Sequence, residues 1–378
     1  MKITDVRPYV FEVEAAQPGR MAWMFVAVET DADITGWGET SNWAGNITYL
    51  LADGIAAIRE VLIGEDPAEI DRLWHRLYRR FTYVGSRGFP THLVSAIDIA
   101  LWDIKGKDLG RPIYDLLGGK VRDRIPVYAN GWTAGCRTPA EFAAAAQRTV
   151  ADGHAALKFD PYLELYPTFY AYVDGQLSAA HSALAFERVA AVRHAVGPNI
   201  QILIDAHGLF DVPSAIQAAT RLEPLNITWF EEPVPPENPQ ALRQVRENTR
   251  VPICVGERLH TRFDFVPIFE QRLADYVMPD VVFTGGISEL KKIATMAEAY
   301  SVPISPHNAE GAIQIVAGAH VALNVPNFYR LEHALSFKPS YNACLTEPLD
   351  FTADALQLSG KPGLGIEVNR AYVERPRR

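Results

Sequence analysis

Between Ile125 and Glu332 the chain repeats one pattern eight times, a short apolar run followed by a stretch with helical spacing. The runs are IPVYANG (125–131), AALKFD (155–160), QILIDAH (201–207), NITWFEE (226–232), VPICVGE (251–257), YVMPDVV (276–282), VPISPH (302–307) and FYRLE (328–332). Helical patterns such as Pro139–Asp152, Ala185–Val196 and Pro213–Leu222 fill the gaps. Short continuous apolar runs fit strands buried on both faces, which is how parallel strands sit beneath crossover helices. Eight of them over roughly 210 residues predict a parallel (β/α) barrel. On this pattern alone an open doubly wound sheet stays possible, but no GxGxxG follows the first run to favour a dinucleotide.

Ahead of the barrel, residues 1–40 predict three antiparallel strands. Lys2–Glu14 and Met24–Thr30 alternate in polarity, Asp31–Thr35 is a turn, and Gly36–Glu39 closes the third strand. Helices are expected over Ile47–Ile63, Ala68–Arg80 and Pro90–Lys107, the last with Leu93, Ile97, Ala100, Leu101 and Ile104 at helical spacing. This α+β capping module spans residues 1–120, the barrel 121–340, and a C-terminal segment, 341–378, is expected to return to the cap. That tail, from about Pro339, reads as non-helical. The second connection of the barrel breaks the rhythm with DPYLELYPTFYAYVDGQLSAAHS (160–182), long and aromatic, as functional loops are. Packing over the barrel rim is the alternative for its tyrosines.

The formal net charge of −9 argues against a nucleic-acid or membrane-surface partner, both of which need a basic face. It leaves room for a small anionic substrate, because a bound metal reverses the field within a pocket. Three widely spaced cysteines, Cys136, Cys254 and Cys344, suggest neither a disulfide framework nor a zinc motif. The alternating N-terminus lacks the apolar stretch of a signal peptide, and no run approaches the roughly 20 apolar residues of a membrane span. A cytoplasmic enzyme is the expectation.

Nearly every barrel run ends on a polar or ionisable residue: Lys158 and Asp160, Asp205 and His207, Glu231 and Glu232, Glu257, Asp280, His307, Glu332. Parallel strands all point their C-termini to one rim, where active sites of this architecture lie. Any one such residue is readily a helix cap or a rim salt bridge. Carboxylates on three successive strands, Asp205, Glu231 and Glu257, are costly to bury without a cation. Three hard oxygen ligands with open positions suit Mg²⁺, with Mn²⁺ nearly as good.

Together these segments resemble the enolase superfamily, mandelate racemase subgroup. The resemblance rests on GWGET (36–40), SAIDIALWDIKGK (95–107), LLGG (116–119), LIDAHG (203–208), WFEEPVPPEN (229–238), GERL (256–259), MPDVVFTGGISELKKIA (278–294) and SPHNAEG (305–311). Asp205, Glu231 and Glu257 follow one another at intervals of 26, and His307 lies 27 beyond Asp280. The resemblance implies a (β/α)7β barrel under an N-terminal cap, a homo-oligomer, and a metal-chelated substrate carboxylate whose α-proton is removed to give an enediolate. The superfamily's Lys or His base with Mg²⁺ is itself a stock example of this chemistry. It further implies His307 as base with Asp280 fixing its tautomer. Where the racemases carry Lys-x-Lys, this chain has Lys158-Phe159-Asp160, which speaks against a two-base racemisation. Lys158 is then expected on the substrate carboxylate and Asp160 on a hydroxyl. His207, two residues past Asp205 and so on the same strand face, resembles the second histidine of sugar-acid dehydratases, galactonate dehydratase above all, which assists loss of the C3 hydroxyl. Glu332 resembles the residue that hydrogen-bonds a carboxylate oxygen of the intermediate. His260, Trp43, Arg87 and the stretches Ala15–Ala22 and Ser41–Asn46 are candidates for substrate contact. The expected product is a 2-keto-3-deoxy acid. A cycloisomerase or lactone-opening enzyme, with a ring oxygen leaving instead, is the alternative, and a barrel that binds without turnover a distant third.

Overall fold

The computed structural model describes every residue except 14–20, 42–44, 163–164, 166–174, 353 and 376–378, and the side chains of 45 and 46. Three strands, β1 (Ile3–Val13), β2 (Met21–Thr30) and β3 (Thr35–Glu39), form an antiparallel sheet in that order. Helices α1 (Gly45–Ile58), α2 (Ile70–Arg80) and α3 (Phe89–Asp108) cover one face. The alternation expected for the second strand is replaced by burial of nearly every residue from Met21 on. The cause is that β2 is the middle strand with both faces covered. Met24, Val26 and Val28 enter the core shared with the helices, whereas Trp23, Phe25 and Ala27 enter the core shared with the barrel. Gly36 and Gly38 let β3 lie directly on α3, since a Cβ on Gly38 would stand 1.8 Å from the Ala96 carbonyl oxygen.

A four-residue helix α4 (Ile113–Leu116) leads into the barrel. Its strands are β4 (Ile125–Asn130), β5 (Ala156–Phe159), β6 (Gln201–Asp205), β7 (Trp229–Glu231), β8 (Ile253–Val255), β9 (Tyr276–Val277) and β10 (Leu331–Ala334), all parallel, with β10 pairing back to β4. The seventh of the eight positions is carried by single bridges, Val277 to Ile304 and Ile304 to Phe328. Pro303 and Pro306 flank that bridge and supply no N–H, so a full ladder cannot form there. Seven helices follow the first seven positions: α5 (Pro139–Ala151), α6 (Ala179–Val196), α7 (Val212–Leu222), α8 (Pro239–Glu247), α9 (Thr261–Glu270), α10 (Gly286–Ala299) and α11 (Ala312–Asn324). The architecture is the (β/α)7β barrel with a cap. Several of these helices start on a side-chain cap: Thr138 in a reciprocal box with Glu141, Ser178, Asp211 and Asn238.

The tail differs from its expected non-helical form by opening with α12 (Lys338–Cys344), because Trp23 of β2 stacks on Tyr341 and gives that turn an aromatic seat. A hairpin of β11 (Asp350–Thr352) and β12 (Ala355–Gln357) then pairs antiparallel with the N-terminal end of β4, at Ile125 and Pro126. Leu364 donates its N–H to Asp103 of α3, and after the short helix α13 (Arg370–Val373) Arg375 reaches the Glu12 carbonyl oxygen of β1. No helix among the described residues is long and apolar enough to cross a membrane.

Candidate active site

Side-chain parity builds the site in layers. Tyr128, Ala156, Leu203, Trp229, Cys254 and Met278 point into the barrel and close its interior as an apolar plug. Two residues further along β5, β6 and β7 the same parity turns Lys158, Asp205 and Glu231 inward, above the plug. Glu257 joins them from beyond the end of β8 through Gly256, whose φ of +138° is a conformation that glycine adopts freely. Ligand oxygens of Asp205, Glu231 and Glu257 all lie within 4.8 Å of one another, and all three residues are buried. Among the described residues Asp205 Oδ2 accepts no hydrogen bond, although Lys158 Nζ stands 3.1 Å away. Three convergent buried carboxylates, one with an oxygen left without a donor, fit a hard divalent cation. Trp229, one turn of the strand below, donates its indole N–H to Glu231 Oε2 at 2.8 Å.

The crowding is visible in the electrostatics. Burial, and then repulsion from Asp205, holds Glu231 well above the usual carboxylate range. At Asp205 burial pushes the same way, but His207 and Lys158 outweigh it and hold the group low. Lys158 also contacts Glu231 and lies 3.2 Å from Glu332 Oε1. Burial would discharge that ammonium, yet Asp205, Glu231 and Glu332 keep its pKa well above normal. Glu332, which also accepts from Asn130 Nδ2 (2.7 Å) and the Asn308 N–H (3.1 Å), is lowered despite burial by Lys158 and His307. Glu332 thus lies beside Lys158 as a carboxylate.

His307 and Asp280 face each other across a parallel bridge, with Nδ1 2.6 Å from Asp280 Oδ2. A carboxylate only accepts, so Nδ1 carries a hydrogen and Nε2 is the nitrogen turned toward the site. That nitrogen lies 3.4 Å from Glu257 Oε2. Burial lowers the ring's pKa, but Glu332 and the Asp280 hydrogen bond raise it to about 9.

His207 reaches the site by a route that strand parity did not foresee. β6 ends at Asp205, and His207 sits in the left-handed region at φ +49°. Its own N–H bonds Asp205 Oδ1 at 2.9 Å, which folds the backbone back on itself and brings the ring over the carboxylates. Nε2 then lies 3.5 Å from Asp205 Oδ2, while Nδ1 lies 2.7 Å from Asp160 Oδ2. Asp160, expected on a substrate hydroxyl, is thus turned to His207, its other oxygen accepting the Tyr162 N–H. Burial lowers the His207 pKa, and Asp205 and Asp160 more than restore it.

The remaining candidates are less central. His260 Nδ1 is 3.2 Å from both the Thr91 hydroxyl and the Phe283 carbonyl oxygen, and Arg87 pairs with Asp264, which also accepts the His260 N–H. Trp43 lies outside the described residues, as do 15–20 of Ala15–Ala22, 42–44 of Ser41–Asn46, and 163–164 and 166–174 of the aromatic loop. A cleft of about 420 Å³ lined by Arg87, Glu232, Val255 and Arg258 lies on the outer side of β7 and β8, away from the inward-facing Glu231 and Cys254. Sequence reasoning missed Trp229, which parity with Glu231 would have found. It also missed His92 of α3, whose ring lies 4.4 Å from Phe283 and 5.8 Å from His260, and Gln314, which donates to Asp280; no local pattern marks either.

Comparison with known proteins gives a consistent answer. Residues 2–118 match the mandelate racemase / muconate lactonizing enzyme N-terminal domain, and residues 141–372 match the enolase C-terminal domain-like family. A D-gluconate dehydratase of Thermoproteus tenax is 37% identical over 99% of this chain and 74% of its own length. A D-galactonate dehydratase of Variovorax paradoxus (strain S110) is 36% identical over 99% of this chain and 94% of its own. A crystal structure of a member of the enolase superfamily from Salmonella Typhimurium superposes with a TM-score of 0.92 at 29% identity, covering 99% of this chain and 98% of that one.

Proposed function

The chain belongs to the enolase superfamily, and from that premise we propose that it is a sugar-acid dehydratase that converts its substrate to a 2-keto-3-deoxy acid. It is a carbon–oxygen lyase, as its relatives are hydro-lyases at 36–37% identity over nearly the whole chain. The observation that carries the reading is the pair of Asp–His units flanking the carboxylate trio, His307 with Asp280 beside Glu257 and His207 with Asp160 beside Asp205.

Asp205, Glu231 and Glu257 are the residues to hold the cation, taken as Mg²⁺ with Mn²⁺ as a substitute. Bound there, it supplies the fixed positive charge that a carboxylate needs when its α-carbon loses a proton. Lys158, already charged, adds a second positive group on the side of Glu332. His307 acts as base in its neutral form, which a cation held by the carboxylates would favour by offsetting the Glu257 charge that helps raise the ring's pKa; Nε2 then accepts the C2 proton while Asp280 holds Nδ1–H. The electron pair released at C2 forms the C2=C3 double bond, and the C3 hydroxyl departs as water with the proton of His207. Asp160 keeps that imidazole charged and aimed until the proton leaves. The resulting enol takes a proton at C3, gives up the proton of its C2 hydroxyl, and becomes the 2-keto-3-deoxy acid.

The test is incubation with a panel of aldonic and aldaric acids and their lactones in D₂O, with and without EDTA. Loss of water with metal-dependent exchange at C2 is expected, and an isomer of unchanged mass would replace this reading with ring-oxygen departure. His307→Asn abolishes both exchange and product. Asp160→Asn lets exchange continue while water loss falls at least tenfold.

A further inference from the structure

Behind the His307–Asp280 pair, away from the carboxylate trio, a second set of hydrogen bonds runs from the cap into the barrel. Glu39 at the end of β3 is buried against the first turn of α11, accepting the N–H groups of Gly311 (2.8 Å), Ile313 (3.0 Å) and Gln314 (2.9 Å). A carboxylate there satisfies the amides that a helix start leaves unpaired and complements the helix dipole. A Cβ on Gly311 would stand 2.2 Å from Glu39 Oε1, so the approach is as close as glycine permits.

The side chain of Gln314 occupies the gap between this helix start and the catalytic pair. Its Nε2 donates to Asp280 Oδ2 at 2.6 Å, and its Oε1 accepts the Glu310 N–H at 2.8 Å. Both ends of the amide are therefore committed. Turned over, it would set an oxygen against the Asp280 carboxylate and an NH₂ against an N–H, so only one orientation is allowed. Asp280 Oδ2 receives Gln314 and His307 together, while Oδ1 receives the Val282 N–H at 2.7 Å. Gln314 is the one side chain among these donors besides the imidazole, and it fixes the plane of the carboxylate on the oxygen that His307 uses.

We propose that Gln314 is a positioning residue for His307, holding Asp280 so that Nδ1 keeps its hydrogen and Nε2 faces the substrate, and that Glu39 couples this arrangement to the seating of the cap. The proposal rests on the reading of His307 as the base. Gln314→Leu keeps the bulk and removes both hydrogen bonds. In the Mg²⁺-loaded enzyme it is expected to lower kcat roughly 10–100-fold, the loss typical of an outer partner of an active-site ligand, with KM within about threefold by the uniform-binding criterion.

A second readout needs no substrate. With ¹⁵N-histidine, the downfield Nδ1–H resonance of His307 in wild type should move or broaden in Gln314→Leu. Gln314→Glu is the rescue, because a protonated carboxyl donates to Asp280 and accepts from Glu310 as the amide does, so its kcat should recover toward wild type on lowering the pH whereas that of Gln314→Leu should not. If Gln314→Leu does not fold, the same comparison is made between Gln314→Glu and wild type. A kcat within twofold of wild type with an unmoved Nδ1–H signal overturns the proposal. A moved signal in an enzyme inactive on every sugar acid upholds Gln314 as the anchor of His307 and removes the dehydratase reading instead.

Discussion

Glu310 is a buried carboxyl group whose two oxygens both lack a hydrogen-bond partner among the described residues. Burial, then repulsion from Glu39 and Asp280, holds its pKa well above the usual range, so the native protein keeps a proton there that the unfolded chain gives up above its ordinary pKa near 4.5. The native state then binds more protons than the unfolded one, and its stability falls as pH rises from about 4.5 upward. Glu310→Gln removes that dependence. It is expected to raise the unfolding free energy at pH 8 by about 1–3 kcal/mol, and to change little near pH 4, as read from urea unfolding at both pH values. An equal effect at the two would mean that the proton is not the cause. Single residues were also where the sequence was most and least legible. The carboxylates at strand ends could be read because period-two alternation turns Leu203 and Asp205, or Trp229 and Glu231, to the same side. The partner of His207 could not be read, since a left-handed residue breaks that alternation and Asp160 is brought to it only by the neighbouring strand.

The contact of β3 with α3 depends on an absent side chain. A methyl group on Gly38 would press into the Ala96 carbonyl oxygen, and one on Gly36 into that of Ala100 at 2.1 Å, both backbone atoms of a packed helix that cannot yield. Gly38→Ala should therefore cost more than about 3 kcal/mol, beyond the ordinary range for a point change, as measured by the thermal unfolding midpoint. A loss below about 1 kcal/mol would show that the cap sheet can slide on α3. The same elements explain what sequence patterns conveyed. α2 has a clean apolar stripe, Ile70, Leu73, Trp74 and Leu77; it ends at Arg80 as the spacing puts it but begins at Ile70, two residues after the expected Ala68. α11 is buried on every side, so it has no polar face to set a period, and its thirteen residues left no signature beyond their apolarity. The seventh strand position was recognisable as an apolar run, but its prolines reduced it to single bridges.

Across the whole molecule, a second dependence on pH runs against the first. His333 on β10 points out of the barrel and stacks on Phe351 of the tail hairpin at 3.8 Å, with neither ring nitrogen hydrogen-bonded to any described residue. Burial, and then His154, lowers its pKa to about 3. The unfolded chain takes up a proton there below pH 6.5 and the native protein does not, so stability is lost as pH falls from about 6.5 toward 3. One such group contributes about 1.4 kcal/mol per pH unit inside that window. His333→Leu should flatten the acid limb of the stability profile between pH 4 and 6.5, and an unchanged limb would exonerate the hairpin contact.

The tail that carries Phe351 goes on to brace β1 at Glu12 and α3 at Asp103. During synthesis, then, the first strand of the cap leaves the ribosome more than three hundred residues before its last support exists. The cap's contacts to the tail are complete only once Leu364 and Arg375 are in place. Until then Phe11 and Trp23 lack the Tyr372 and Tyr341 rings that cover them. The aromatic face of the cap sheet is thus completed by residues that lie more than three hundred positions downstream of the strand they cover.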